Sequence, residues 1–256
     1  MKKHLNIGIP LTQNCSVIGV DEELELLAIE KGIGTLTHPN GSTPIKKGQK
    51  ALLNAKYDFE QEAYYWNNPE GDPRKAYLVH RLDSHTSGII LIALREETAR
   101  TVKSLFAHTK VKKKYLAVVH SHSSKYDGRW ADRLIETKKN GRLRVRWSNS
   151  GHQAIAEMKT LKSSGSSPNL SLIELTPKTG RTHQLRVQCA KRKIPIIGDK
   201  TYGDFSANRK IEKQYKLDRL CLHASEINLE IKLKNGDFKK LHYESPLPRA
   251  MGRIIH

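Results

Sequence analysis

Cysteine is scarce in this chain and follows no pattern. Cys15, Cys189 and Cys221 are far apart, odd in number and form no CxxC pair, which argues against both a disulfide framework and a zinc site. The histidines show no HExxH spacing, and the HxE with PCxxC arrangement of zinc nucleobase deaminases is missing, so that route to base chemistry is closed. No apolar run approaches the ~20 residues of a membrane span. The start, MKKHLNIGIPLTQNC, lacks the long apolar segment and small-residue cleavage pattern of a secretory signal, and cytoplasmic residence is the expectation. Internal repeats and low-complexity tracts are also missing; SSGSSP at 163–168 is too short for a domain linker and reads as a hairpin loop.

What the chain has in excess is positive charge. Lys and Arg number 45 against 26 Asp and Glu, a formal net charge of +19. Such an excess concentrates a polyanion and neutralises backbone phosphates on contact. Nucleic acid is the expected partner; an anionic membrane is disfavoured because no basic amphipathic helix with aromatic anchors is evident. Charge by itself does not separate an enzyme from a passive RNA binder. At 256 residues the chain is one large domain or two intimate halves. Residues 1–16 read as a loose N-terminal arm and 17–256 as the folded domain.

The pattern of elements points to an α+β fold with a mixed, mostly antiparallel central sheet and flanking helices. Strands are expected over 25–30, 112–120, 154–161 and 170–175, and a hairpin joins 227–233 to 238–243 across Asn235-Gly236. Helices are expected over 50–59, 96–108 (burying Val102, Leu105 and Phe106) and 182–192, and a loop over 66–75. Arg142, Arg144 and Arg146 alternate with Leu143, Val145 and Trp147, giving an arginine face and an apolar face on one strand; a solvated sheet face and an RNA-contacting ribbon fit it equally.

The chain is organised around residues 80–94, HRLDSHTSGIILIAL. A polar, turn-forming segment runs into an unbroken apolar run, as expected of a strand buried on both faces. Asp83 is either a turn-former, since Asp before Ser, Thr and Gly is a common turn formula, or a carboxylate held rigidly at the mouth of that strand for chemistry.

HRLDSHTSG resembles the signature loop of the RNA pseudouridine synthases, in the branch that modifies uridines in ribosomal or transfer RNA. KTGRTHQLRVQ at 178–188 is similar to that family's TGRxHQxRxH segment, with Gln188 where histidine is usual. KKYLAVV at 113–119 resembles its KxYxAxV motif. EKGIGTLTHPNG at 30–41 resembles its first motif, with Gly32 in place of the usual proline, a departure expected to loosen that turn. The resemblance implies uridine-to-pseudouridine isomerisation with base flipping and with no cofactor and no metal. It assigns Asp83 as nucleophile and Arg186 as the cation that keeps Asp83 ionised. It makes Tyr115 the ring that stacks on the uracil and can relay a proton, and Arg81 the contact that fills the space left by the base. Arg181 is expected on backbone or on RNA phosphate, and His80, Thr86 and Ser87 are read as loop architecture. His183 and Arg186, three apart, are expected to share a helix face, with Leu185 and Cys189 toward the core; the Gln188 change is expected to touch only a peripheral hydrogen bond. The partner implied is RNA, with no membrane and no obligate protein partner, and a monomer is expected. The competing reading is a catalytically silent RNA-binding assembly factor on the same fold.

Overall fold

The computed structural model describes residues 8–39, 41, 50–120, 124–139, 142–164 and 168–255. They form two compact units, residues 1–111 with 228–245 and residues 112–227 with 246–256. In the first unit the strands are β1 (Cys15–Asp21), β2 (Leu26–Lys31), β3 (Thr35–Leu36), β4 (Lys50–Ala51), β5 (Lys56–Asp58), β6 (Ala63–Asn67), β7 (Pro73–Leu78) and β8 (Ser87–Ala93), followed by helix α1 (Glu96–Ala107). Antiparallel pairing runs β1-β2-β8-β7-β6-β5, and β3 pairs with β4 in parallel. Every residue of β8 is buried, as its uninterrupted apolar sequence requires. Ile89, Ile90, Leu91 and Ile92 are fully inaccessible, each stabilising the unit by roughly 1.5–3 kcal/mol. Helix α1 lies against β7 and β8 and buries Thr98, Ala99 and Val102. Leu105 and Phe106, expected on that buried face, are only half-buried.

The second unit contains β9 (Lys112–His120), β10 (Gly128–Lys139), β11 (Arg142–Trp147), β12 (His152–Ser163) and β13 (Leu170–Pro177), then α2 (Gln184–Lys191) and α3 (Phe205–Tyr215). The antiparallel order is β11-β10-β12-β13-β9. The β12–β13 pairing matches the expected hairpin, although residues 165–167 of its loop lie outside the described residues. One face of this sheet carries the core: Ala117, Ala156, Met158, Ile173 and Leu175 pack with Leu185 and Cys189 of α2 and Ile211 of α3. The chain closes with β14 (Leu222–Lys232) and β15 (Phe238–Glu244), which pair around the Asn235-Gly236 turn, and α4 (Arg249–Gly252).

Three expectations need correction. Residues 50–59 form no helix but the two short strands β4 and β5. Ala51, Leu52 and Leu53 are buried, and Asn54 N–H donates to Pro10 O (2.8 Å) while Leu52 O accepts from Thr12 N–H (3.1 Å), so the backbone bonds go to a remote segment rather than within a helix. The same bonds, with the Leu11–Leu53 bridge, tie down residues 10–12 of the segment read as a loose arm; residues 1–7 lie outside the described residues. The loop expected over 66–75 is shorter, because Trp66 and Asn67 belong to β6 and Pro73 to Lys75 to β7. Asn68 closes the turn between them through Asp72 N–H to its Oδ1 (2.7 Å). Helix α3 was not anticipated. Its signal is Asp204, whose Oδ1 accepts from Ser206 and Ala207 N–H (both 2.9 Å), an ordinary N-cap.

Candidate active site

Two constructions carry the candidate residues, one in each unit. In the first, the loop leading into β8 is bonded to its surroundings on both sides of Asp83. Leu82 O accepts from Thr37 Oγ1 (2.8 Å), and Leu82 N–H donates back to the same oxygen (3.2 Å). Ser84 O accepts from Gly34 N–H (2.8 Å) and from Lys31 Nζ (3.1 Å). Thr86 N–H donates to Asp83 O (3.0 Å), closing the turn. His80 Nε2 accepts from Leu91 N–H (2.9 Å), and its ring stacks on Phe106 at 4.4 Å, so the half-exposed aromatic of α1 steadies the loop. Asp83 itself is half-buried.

Lys31 is the least expected part of this construction. It is fully buried, and Nζ also donates to Gly32 O (3.1 Å) and Thr35 O (3.0 Å). Burying an ammonium is costly unless its donors are satisfied; here carbonyls take them, and a positive charge stands behind the carboxylate's loop. Gly32 does not loosen this turn as the sequence implied. A Cβ there would lie 2.4 Å from Asn14 O, and Asn14 braces the same turn through Nδ2 to Ile33 O (3.0 Å) and by accepting from Thr35 Oγ1 (2.8 Å). Glycine is present so that Asn14 can approach. Arg81 is exposed, with Nη1 3.3 Å from His38 Nε2. His38 Nδ1 lies 2.8 Å from Pro39 O, which fixes the proton on Nδ1 and leaves Nε2 to accept from Arg81.

In the second unit Arg186, only 8% exposed, forks onto Asp199. Nε donates to Oδ2 and Nη2 to Oδ1, both at 2.8 Å. Oδ1 also accepts from Thr201 and Tyr202 N–H (2.8 and 3.0 Å). Burial pushes the Asp199 carboxyl up, but the Arg186 bonds and charge and the two backbone donors outweigh it and hold it below the ordinary carboxylate range. The Tyr202 ring lies 5.1 Å from the Arg186 guanidinium, and its hydroxyl, 2.8 Å from His183 Nδ1, accepts from Val145 N–H of β11 (2.9 Å). Asp199 and Tyr202 had no role in the sequence reading. The stretch IIGDKTYG offered a signal in Gly198, where φ is +74° and a Cβ would overlap the Arg219 carbonyl oxygen.

Two details of α2 differ from expectation. His183 precedes the helix as its N-cap with φ 52°, so it shares no helix face with Arg186, although Tyr202 links the two. Gln188 is fully buried rather than peripheral, donating to Asp132 Oδ2 (2.8 Å) and Ala154 O (3.2 Å). Leu185 and Cys189 do face the core. Burial pushes the Cys189 thiol up, and that of Cys221 up to about 12, which suits neither as a nucleophile. Tyr115 is half-buried on β9, packed against the core. Arg181 is exposed, with Nε on Gln153 O (3.2 Å). On β11, Val145 is buried, but Leu143 and Trp147 of the same face are 38% and 55% exposed, so that face is only partly apolar core. Thus Arg81 with Asp83, and Tyr115 with Arg186, are the pairs that share a unit.

Among the described residues no group of three or more His, Cys, Asp or Glu is placed to hold a metal ion, and no helix is long and apolar enough to cross a membrane.

A profile described as RNA pseudouridylate synthase matches residues 25–191, and the chain belongs to that family. It is 35% identical over 214 residues to a tRNA pseudouridine synthase C of Haemophilus ducreyi, covering 78% of this chain and 79% of that one. It is 34% identical over 171 residues to a ribosomal large subunit pseudouridine synthase C of Buchnera aphidicola, covering 66% of this chain and 52% of that one. Several curated relatives are thus matched over only about half to two thirds of their length. The solved structure of human RNA pseudouridylate synthase domain containing 1 superposes with a TM-score of 0.65 at 21% identity, covering 93% of this chain and 86% of that one. The fold is therefore the α+β pseudouridine synthase fold.

Proposed function

We propose that this protein isomerises uridine to pseudouridine in structured ribosomal or transfer RNA. Residues 17–256 act as its catalytic domain, working as a cytoplasmic monomer. The reaction breaks the C1′–N1 bond, turns the uracil, joins C1′ to C5 and moves a proton from C5 to N1. Nothing is oxidised or hydrolysed overall. The observation that carries the reading is the Asp83 loop, in which the backbone on either side of the carboxylate is hydrogen-bonded to Lys31 at the end of β2 and to Thr37 just after β3. A carboxylate fixed in this way can form and release an adduct with the reacting sugar or base.

Arg186 is the proposed companion that keeps Asp83 ionised. A guanidinium carries five N–H donors, so the fork on Asp199 does not exhaust it; Asp199 and Tyr202 are positioning residues that fix its plane. Tyr115 stacks on the extruded uracil, an interaction of about 1–3 kcal/mol, and its hydroxyl serves the proton transfer. Arg81, exposed and braced by His38, is suited to enter the stack when the nucleotide swings out. The test is chemical mapping of pseudouridine across total RNA from cells with and without the protein. The expected result is at least one position that disappears on deletion, returns with the wild-type gene and fails to return with Asp83→Asn. An unchanged map, or rescue by Asp83→Asn, overturns the reading.

A further inference from the structure

Within the second unit a cavity of about 450 Å³ opens between the β10–β11 hairpin and the turn before α2, lined by Leu134, Ile135, Glu136, Val145, His152 and the Gly180–Thr182 backbone with Arg181. Both walls are fixed in advance. Gln184 Oε1 accepts from Thr179 Oγ1 (2.7 Å) and Arg181 N–H (3.1 Å), and its Nε2 donates to Ile155 O (3.0 Å). The hairpin is held by the Tyr202 hydroxyl on Val145 N–H (2.9 Å) and by Leu134 and Val145 packing on Val187. Its floor is apolar, and its polar groups are a guanidinium, an imidazole and a carboxylate. That combination, an apolar floor with a few convergent polar groups, is what a small planar ligand requires.

The carboxylate decides which ligand. In a chain of net charge +19, a groove built only to hold phosphates gains nothing from an acid, which repels them. Glu136 is exposed and, among the described residues, makes no salt bridge, unlike Asp132 four residues earlier, which holds Lys191 and Arg192. An ionised carboxylate only accepts hydrogen bonds, and on a nucleic acid the matching donor is the exocyclic amine of cytosine, adenine or guanine. Uracil offers only N3–H, which lies between two carbonyl oxygens that repel a carboxylate.

We infer that this cavity is a second nucleotide subsite, which seats an RNA base bearing an exocyclic amine on Leu134 and Val145, with Glu136 on the same face of the hairpin accepting from the amine and Arg181 contacting the adjoining phosphate. The inference rests on RNA being the substrate, and it names Glu136 as the residue that sets preference beside the target uridine.

The test is binding of 5′-labelled C10, A10 and U10 RNA by fluorescence anisotropy at fixed salt, with the full-length wild type, Glu136→Gln and Arg181→Ala. Wild type should bind C10 or A10 about tenfold more tightly than U10, the scale of one charge-assisted hydrogen bond. Glu136→Gln, which can also donate to uracil, should reduce that ratio to about two or less. Arg181→Ala should weaken all three oligomers alike and flatten the salt dependence by about one unit of slope. The inference is overturned if wild type shows no preference, if Glu136→Gln keeps the wild-type ratio, or if wild type binds none of the oligomers. Isomerisation is not read in this assay. A protein that isomerises but lacks the preference loses only this inference; one with the preference that never modifies RNA loses only the catalytic reading.

Discussion

The Asp83 loop and the Arg186 cradle solve the same problem by opposite means. The loop of the first unit is held largely through main-chain groups, and the buried Lys31 donates to three carbonyls. The cradle of the second unit is held by a buried ion pair, Arg186 on Asp199, with two backbone donors completing the carboxylate. Around Asp83 the chain fixes the backbone on both sides of the carboxylate. An arginine with five donors can spend some on support and still present charge. It follows that the first construction fails through loss of activity alone and the second through loss of stability as well.

The largest effect expected is chemical. Asp83→Asn keeps shape but removes the negative charge, and isomerisation of a substrate RNA should fall by at least about 10³-fold, with the thermal midpoint and RNA affinity close to wild type. A variant with near-normal turnover would mean the loop is architecture only.

Asp199→Asn should lower stability, and turnover with it, because Arg186 loses the partner that fixes its plane. Removing one partner of a buried pair strands the other charge, at a cost of about 3–5 kcal/mol, read as a lower midpoint in urea. Its pH dependence has a definite sign. Because the folded carboxyl is held below its ordinary value of 3.8, the pair stabilises fully above that value and loses this contribution as pH falls through the lower, folded one. The stability gap between wild type and Asp199→Asn should therefore be constant at neutral and mildly acid pH and narrow only below 3.8. A gap that closed at pH 6 would assign the stabilisation to another group.

The two constructions also differ in how far the sequence reveals them. Asp83 stands out because a polar turn is joined directly to an apolar run, and β8 is buried throughout; local pattern and tertiary position agree. Arg186 stands out by motif, but its partner is thirteen residues on and beyond a turn, and no periodicity links the two. The same holds for Lys31, which reads as an ordinary lysine at a strand end until Ser84, 53 residues later, places a carbonyl over it. The helix wrongly expected over 50–59 failed for this kind of reason: residues 10–12, remote in sequence, take the backbone bonds that a helix would have made internally.

A smaller effect should separate the roles of Tyr115. Tyr115→Phe retains the ring, so RNA affinity should not change, while loss of a proton-transferring hydroxyl should slow turnover by about 10². Unchanged turnover would leave the ring as a stacking surface and send the proton by another route.

The smallest change probes the turn beneath Asp83. The methyl added by Gly32→Ala would meet Asn14 O at 2.4 Å and Asn14 Cγ at 2.8 Å, so Asn14 must shift and weaken its bonds to Ile33 O and Thr35 Oγ1. Overpacking of this kind costs about 1–3 kcal/mol, and it should be local. Hydrogen exchange at the Gly34, Leu82 and Thr86 amides, which all bond within this turn and loop, should quicken. The Thr201 and Tyr202 amides on Asp199 should keep wild-type rates. Equal acceleration at both sets would show that the two constructions unfold as one cooperative piece; acceleration confined to the first would show that the Asp83 loop can open while the Arg186 cradle stays closed.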